Sequence, residues 1–223
     1  DLGTHADLGT PNADLAIMTG HVAQFFVEDD EWNAALQALH DALRPGGSLA
    51  FDKDGNLYMS VGDNTNPFDS DGFSPSDERS SRYPWDAQRS AANANSLVGK
   101  ILRVKPKADG GYEIPKGNLF PPGTPGTRPE IYVMGCRNPF RISLDQTTGY
   151  LYWGEVGPDA GGFSESRGPA GMDEINQARK PGFFGWPYFV GDNKAYSKID
   201  FDSRAKFNEA KGNQEKARKA AVA

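Results

Sequence analysis

Three histidines, His5, His21 and His40, are the only side chains in these 223 residues that ordinarily gain and lose a proton near neutrality, and none lies in 41–223. Histidine is the commonest general base, so an imidazole base would have to come from the first forty residues. On a helix whose Leu36, Leu39 and Leu43 share a face, His40 falls at that face's edge, which suits a boundary residue better than a base. Cys136 is the single cysteine, so no internal disulfide forms and the redox compartment stays open. Asp63 closes the apolar run LYMSVG as a turn aspartate does. Arg137, followed by Asn138 in GCRNP, carries the fork of paired donors that suits a carboxylate; the plain alternative is an ordinary surface arginine.

The elements that must position these side chains fall into three segments. In 1–45, ADLAIMTG (13–20) reads as a buried strand. Asp29 or Asp30 caps a helix over 29–43, on which Trp32, Ala35, Leu36, Leu39 and Leu43 are the apolar positions. Pro45-Gly46-Gly47 stops it, and SLAF (48–51) follows as a strand, completing a βαβ pattern. The middle segment follows period two instead. Gly55-Asn56-Leu57-Tyr58 recurs 94 residues later as Gly149-Tyr150-Leu151-Tyr152, each preceded by an Asp-led turn. Half that interval fits the roughly 40–50 residues of one propeller blade; a pair of similar hairpins is the plainer reading. GKILRV (99–104), EIYVMG (130–135) and FRISLD (140–145) are further strands, and 64–96 is a long polar loop of the functional or disordered kind. The third segment, 203–223, is rich in Ala, Lys and Glu without an apolar stripe, and reads as a frayed helix or disordered tail.

Composition limits the partners. The 26 Gly and 16 Pro favour short strands and tight turns over long helices. No apolar run reaches the roughly 20 residues of a membrane helix, and no signal peptide is visible. Net charge is −6, with six Lys/Arg against two Glu in 203–223, so the remaining body is strongly acidic. Such a body argues against nucleic acid as the main partner, because phosphate binding needs a basic face.

Residues 46–201 resemble the pyrroloquinoline-quinone (PQQ) dependent soluble sugar dehydrogenases, which are six-bladed β-propellers. The resemblance runs through GGSLAFDKDGNLYMSVGDN (46–64), WDAQRSAAN (85–93), GKILRVKP (99–106), EIYVMGCRNPFRIS (130–143), GPAGMDEIN (168–176) and GFFGWPYFVGDNKAY (182–196), in the family's order. It implies a mainly β chain, an incomplete propeller with a βαβ-like N-terminal piece and a C-terminal helical or disordered tail. It also implies PQQ and Ca²⁺ as cofactors, an aldose substrate and a periplasmic or secreted location. Residues 13–47 are similar instead to the second half of a class I S-adenosylmethionine-dependent methyltransferase, though that family's Gly-rich cofactor loop has no counterpart here. The chain therefore reads as a fusion joined at GGSLAFD (46–52): 1–47 methyltransferase-like, 48–201 propeller, 202–223 charged tail.

The propeller resemblance assigns roles. Oxidising an anomeric carbon needs a base for the hydroxyl proton and an acceptor for the hydride, the latter supplied by PQQ. The family's base stands three residues before the second Gly of the Gly-Gly turn, and that position is Arg44, whose guanidinium stays charged. Asp63 matches the carboxylate that orients the base, and Arg137 and Asn138 match contacts to quinone and substrate. The family's calcium takes the two carbonyls of a Gly-Pro pair. Gly168-Pro169 belongs to the longer match, with Gly157-Pro158 as the alternative. The expected function is thus a sugar dehydrogenase-like fragment that does not turn over. The alternatives are a methyltransferase-derived protein with an inserted segment and a non-enzymatic binding or scaffold module. Open blades should also self-associate through their strand edges.

Overall fold

The computed structural model describes residues 47–200, apart from 67, 69–71, 74 and 108–110, together with the backbone at 15–16, 18–19, 22–23 and 205–206. The helix expected over 29–43, all three histidines and Arg44 lie outside the described residues, as does nearly all of the tail.

The described chain is almost entirely β. Its strands are β1 (Leu15–Ala16), β2 (Met18–Thr19), β3 (Val22–Ala23), β4 (Leu49–Phe51), β5 (Leu57–Val61), β6 (Lys100–Pro106), β7 (Tyr112–Glu113) and β8 (Ile131–Met134). They continue as β9 (Pro139–Leu144), β10 (Leu151–Glu155), β11 (Glu174–Ala178), β12 (Gly182–Phe183), β13 (Phe189–Val190), β14 (Lys194–Ala195), β15 (Ile199–Asp200) and β16 (Ala205–Lys206). One 3₁₀ turn, Tyr83–Trp85, is the sole helical piece among the described residues. The larger sheet runs β1-β4-β5-β6-β8-β12 with β7 beside β6, and a three-stranded sheet runs β11-β10-β9. The sheets are separate and, apart from the β8–β12 pairing, antiparallel.

The repeat read from sequence is a repeat of an Asp-led turn, closed at the third residue on in one copy and at the fourth in the other. Asp52 accepts the amides of Asp54 and Asn56, its carbonyl takes Gly55 N–H, and Gly55 has φ +76°. Asp145 likewise accepts Thr147 N–H, its carbonyl takes Gly149 N–H, and Gly149 has φ +72°. A left-handed residue just after an Asp-led turn is what glycine alone adopts without strain. Each turn sets the register of its hairpin, Phe51 opposite Leu57 and Leu144 opposite Leu151.

The two sheets pack face to face. Tyr58, Ile101, Tyr132 and Val133 from the first meet Ile142, Leu151 and Trp153 from the second. On its other face the first sheet buries Leu49, Leu57, Met59, Leu102 and Ile131. Burial on both faces matches β5, whose five residues, Ser60 included, are all buried. Trp153, 2% exposed, meets Phe184 edge to face at 4.8 Å.

One pairing leaves no signal in the sequence, and one expectation differs from the structure. Not every pairing is antiparallel: β12 lies parallel to β8, because after β11 the chain crosses back to the first sheet and fastens there through Phe184 N–H to the Met134 carbonyl. The tail, expected as helix or coil, contributes a short extended pairing at 205–206, held antiparallel against Ile199–Asp200.

Candidate functional site

The ends of β5, β8 and β10 converge on one side of the sheets, and the sequence-picked residues of GD, GCRNP and GEVGP meet there. Asp63 N–H donates to the Arg137 carbonyl at 2.7 Å. Gly62 leaves room for Asn138, whose Oδ1 would stand 3.5 Å from any Cβ at that position. Arg137 Nη1 donates to the Val156 carbonyl at 3.1 Å, and Nη2 lies 3.6 Å from Asp159. Its Nε is buried without an acceptor. Of these residues Arg137 borders a small recess, open to solvent on one side and lined also by Glu155, Gly157, Pro158, Glu174 and Trp186 among others.

Asp63 is not a bare turn aspartate. Its buried carboxylate accepts Trp186 Nε1–H at 2.6 Å and both the amide and the hydroxyl of Thr65 at 2.9 Å. Burial raises its pKa, while those donors hold it back. Trp186→Phe removes the indole donor together with part of a buried ring. It is expected to lower unfolding free energy by about 1–3 kcal/mol, read by urea denaturation, because a buried acceptor loses its partner. An unchanged midpoint would mean the bond contributes nothing.

Sequence reasoning did not single out Glu155 and Glu174. Glu155 is buried, accepts Trp153 Nε1–H at 2.9 Å and the Asn138 amide, and is pushed up to about 7 by burial. The signal was available: Leu151, Trp153 and Glu155 share one face of β10, so period two places a carboxylate in line with two core residues. Glu174 accepts the Gly191 and Asn176 donors at the far wall.

Of the two Gly-Pro pairs, Gly157-Pro158 borders the recess, whereas Gly168-Pro169 is buried elsewhere, in the bridge between Ser164 and Gly168 beside Tyr196. The Pro158 carbonyl sits where a side chain on Gly171 would begin, so that oxygen faces the opposing loop. No group of three or more acidic, His or Cys side chains is arranged to hold a metal among the described residues. The recess lining carries one guanidinium, Arg137, which already lies beside Asp159, and two carboxylates, Glu155 and Glu174. No helix among the described residues is long and apolar enough to cross a membrane.

Against this geometry, comparison with known proteins gives a consistent picture. "HIPL2 protein" of Arabidopsis thaliana is 31% identical over 159 residues, covering 66% of this chain and 19% of that protein. "Quinoprotein glucose dehydrogenase B" of Acinetobacter calcoaceticus is 27% identical, covering 71% of this chain and 29% of that one. The crystal structure of the soluble aldose sugar dehydrogenase of Escherichia coli in its apo-form superposes with a TM-score of 0.40 at 27% identity, covering 65% of this chain and 31% of that chain. The chain therefore spans about a fifth of the plant relative's length and less than a third of the bacterial ones. The family described as "Glucose / Sorbosone dehydrogenase" matches residues 18–216, a range that takes in most of 13–47 and lends no support to a methyltransferase segment there. With most of its length matched by that family, this chain belongs to the glucose/sorbosone dehydrogenases.

Proposed function

We propose that residues 48–201 form a propeller unit of an extracytoplasmic sugar dehydrogenase-like protein, and that the recess at Arg137 receives a carboxylate-bearing quinone without supporting turnover in this chain. The observation that carries this reading is the buried, acceptor-less Arg137 Nε beside a solvent-open recess. A buried guanidinium N–H without a partner is costly, and an anionic oxygen would relieve it. PQQ is the group that the quinoprotein relative's name suggests and that fits Arg137; when bound, it would supply the hydride acceptor. Arg137 would hold and orient its carboxylate, and Asn138, at the same corner, would offer a neutral contact to quinone or sugar. Gly157 would offer a carbonyl to a calcium ion, with Gly168-Pro169, outside the recess lining, as the other pair. The substrate class is aldose sugars, from the relatives' names.

Catalysis is the weaker part of the family likeness here. The base position is Arg44, and Asp63, which should orient a base, has its oxygens engaged by Trp186 and Thr65. Those two facts favour binding without oxidation.

Titration with PQQ, followed by quenching of tryptophan fluorescence, tests the reading, since Trp186 borders the recess. Saturable quenching is expected, weakened on the order of tenfold or more in Arg137→Gln through loss of a charge-assisted contact. No saturable binding would end the proposal. Ca²⁺ alone is expected to bind weakly because few protein oxygens converge; tight binding in calorimetry would mean the ion site lies elsewhere.

A further inference from the structure

Arg137 has one side of its guanidinium satisfied and the other not. Nη1 is tied to the Val156 carbonyl at 3.1 Å. Nε and Nη2 form the edge whose parallel N–H groups take a carboxylate in bidentate fashion. Elsewhere in this chain that edge is fully used: Arg79 Nε and Nη2 donate to the two oxygens of Asp77 at 2.9 and 2.7 Å. On Arg137 the same edge is half engaged. Nη2 stands 3.6 Å from Asp159 Oδ2, beyond hydrogen-bond length, and the buried Nε finds no acceptor.

The backbone, not that pairing, sets the position of Asp159. The residue follows Pro158 of the recess lining, and Gly72 approaches the Asp159–Ala160 peptide too closely to carry a side chain. The Ala160 carbonyl accepts Gly171 N–H at 2.8 Å, and Ala160 is buried with Phe73, Trp186 and Tyr196. The Asp159 side chain is 63% exposed, so its carboxylate can turn into water while the backbone stays in place. An exposed pair at this length adds little stability. It does put a negative charge at the fork, one that an arriving anion has to displace. A carboxylate seated on Nε and Nη2 together would gain two charge-assisted bonds in place of one loose pairing.

We propose that Asp159 is a built-in competitor for the Arg137 fork, so that a ligand carboxylate enters only as Asp159 turns away. This rests on the quinone-binding reading above and adds to it the residue that sets the affinity of the site.

PQQ titrations followed by tryptophan fluorescence, on the full chain and on Asp159→Asn, test it. Asparagine keeps the shape and removes the charge, and the variant is expected to melt as the unaltered chain does. PQQ is expected to bind Asp159→Asn about three- to fivefold more tightly, the size of an exposed ion pair. A neutral ortho-quinone without carboxylates is expected to show no difference between the two proteins. A second readout needs no Asp159 variant. The nuclear magnetic resonance signal of Arg137 Nε–H, identified by its loss in Arg137→Gln, should move downfield when PQQ gives that N–H an acceptor.

Saturable binding that Asp159→Asn leaves unchanged or weakens overturns the competitor role and leaves the quinone reading standing. Equal tightening for the neutral quinone overturns it too, since the substitution would then act by reshaping the recess. So does PQQ binding that leaves the Arg137 Nε–H signal in place. Binding seen in Asp159→Asn alone upholds the competitor and ends the quinone reading for the unaltered chain. Binding to neither protein ends both.

Discussion

Given PQQ, Ca²⁺, a dye acceptor and a panel of aldoses, this chain is expected to reduce no dye above a heat-killed control. The resemblance puts the family's base position at Arg44, and no histidine occurs in 41–223. A guanidinium cannot take the hydroxyl proton at neutral pH, and loss of general-base help typically costs about 10²–10⁴ in rate. The nearby carboxylates do not substitute readily. Asp63 is engaged by Trp186 and Thr65, and Glu155 is held by Trp153 and Asn138. Positioning adds to the loss: a displacement of about 1 Å can cost on the order of 10²-fold, and the chain matches only 29% of the quinoprotein relative's length. Arg44→His is therefore expected to restore nothing, because a base alone does not supply the positioning on which turnover depends. Dye reduction by the unaltered chain would refute the prediction. Turnover appearing only in Arg44→His would show that the base alone was limiting.

What the sequence disclosed follows from which interactions are local. The hairpins at Asp52 and Asp145 were legible because an Asp, a glycine and alternating strands write the turn within six residues. The β12 crossing was not, since a two-residue parallel pairing leaves no periodic trace and is fixed by tertiary contacts such as Phe184 to Met134. At the site, Arg137 and Asn138 stood out by their motif, and the structure does bring them beside Asp63. The choice between the Gly-Pro pairs was not decidable along the chain, because both have a spacing argument. In the structure Gly157-Pro158 borders the recess and Gly168-Pro169 does not. Glu155 and Lys100 were passed over for a different reason. A charged residue on an otherwise apolar strand reads as the solvent face unless its parity is checked against its neighbours. Lys100 is fully buried, and Glu155 shares the face of Leu151 and Trp153.

Between pH 7 and 9 the folded chain is expected to gain on the order of 2 kcal/mol of stability, and Lys100 is the reason. Its Nζ has no contact with water and donates to the carbonyls of Ser90, Ala91 and Val98 at 2.8–2.9 Å, tying the long loop to the start of β6. Burial pushes this ammonium down to about 7 from 10.5, with Cys136 and Asp63 opposing the fall. The unfolded chain keeps its lysine protonated until pH rises well past 9. Over this window the unfolded state therefore binds more protons, and stability increases with pH. The gain ends near pH 9, where Cys136 begins to act in the opposite sense. Burial raises that thiol well above its ordinary value, so its contribution is lost as pH climbs past the unfolded titration. Lys100→Met removes the buried charge and the slope together. In that variant the Ser90 and Ala91 carbonyls keep the amides of Asn93 and Gly135, while Val98 loses its donor. Urea unfolding at pH 7, 8 and 9 reads both proteins directly. The unaltered chain should shift its midpoint upward with pH while Lys100→Met stays flat. A flat profile in the unaltered chain, or an equal slope in the variant, would mean that Lys100 keeps its proton in the folded core and that its three carbonyls outweigh the cost of burial.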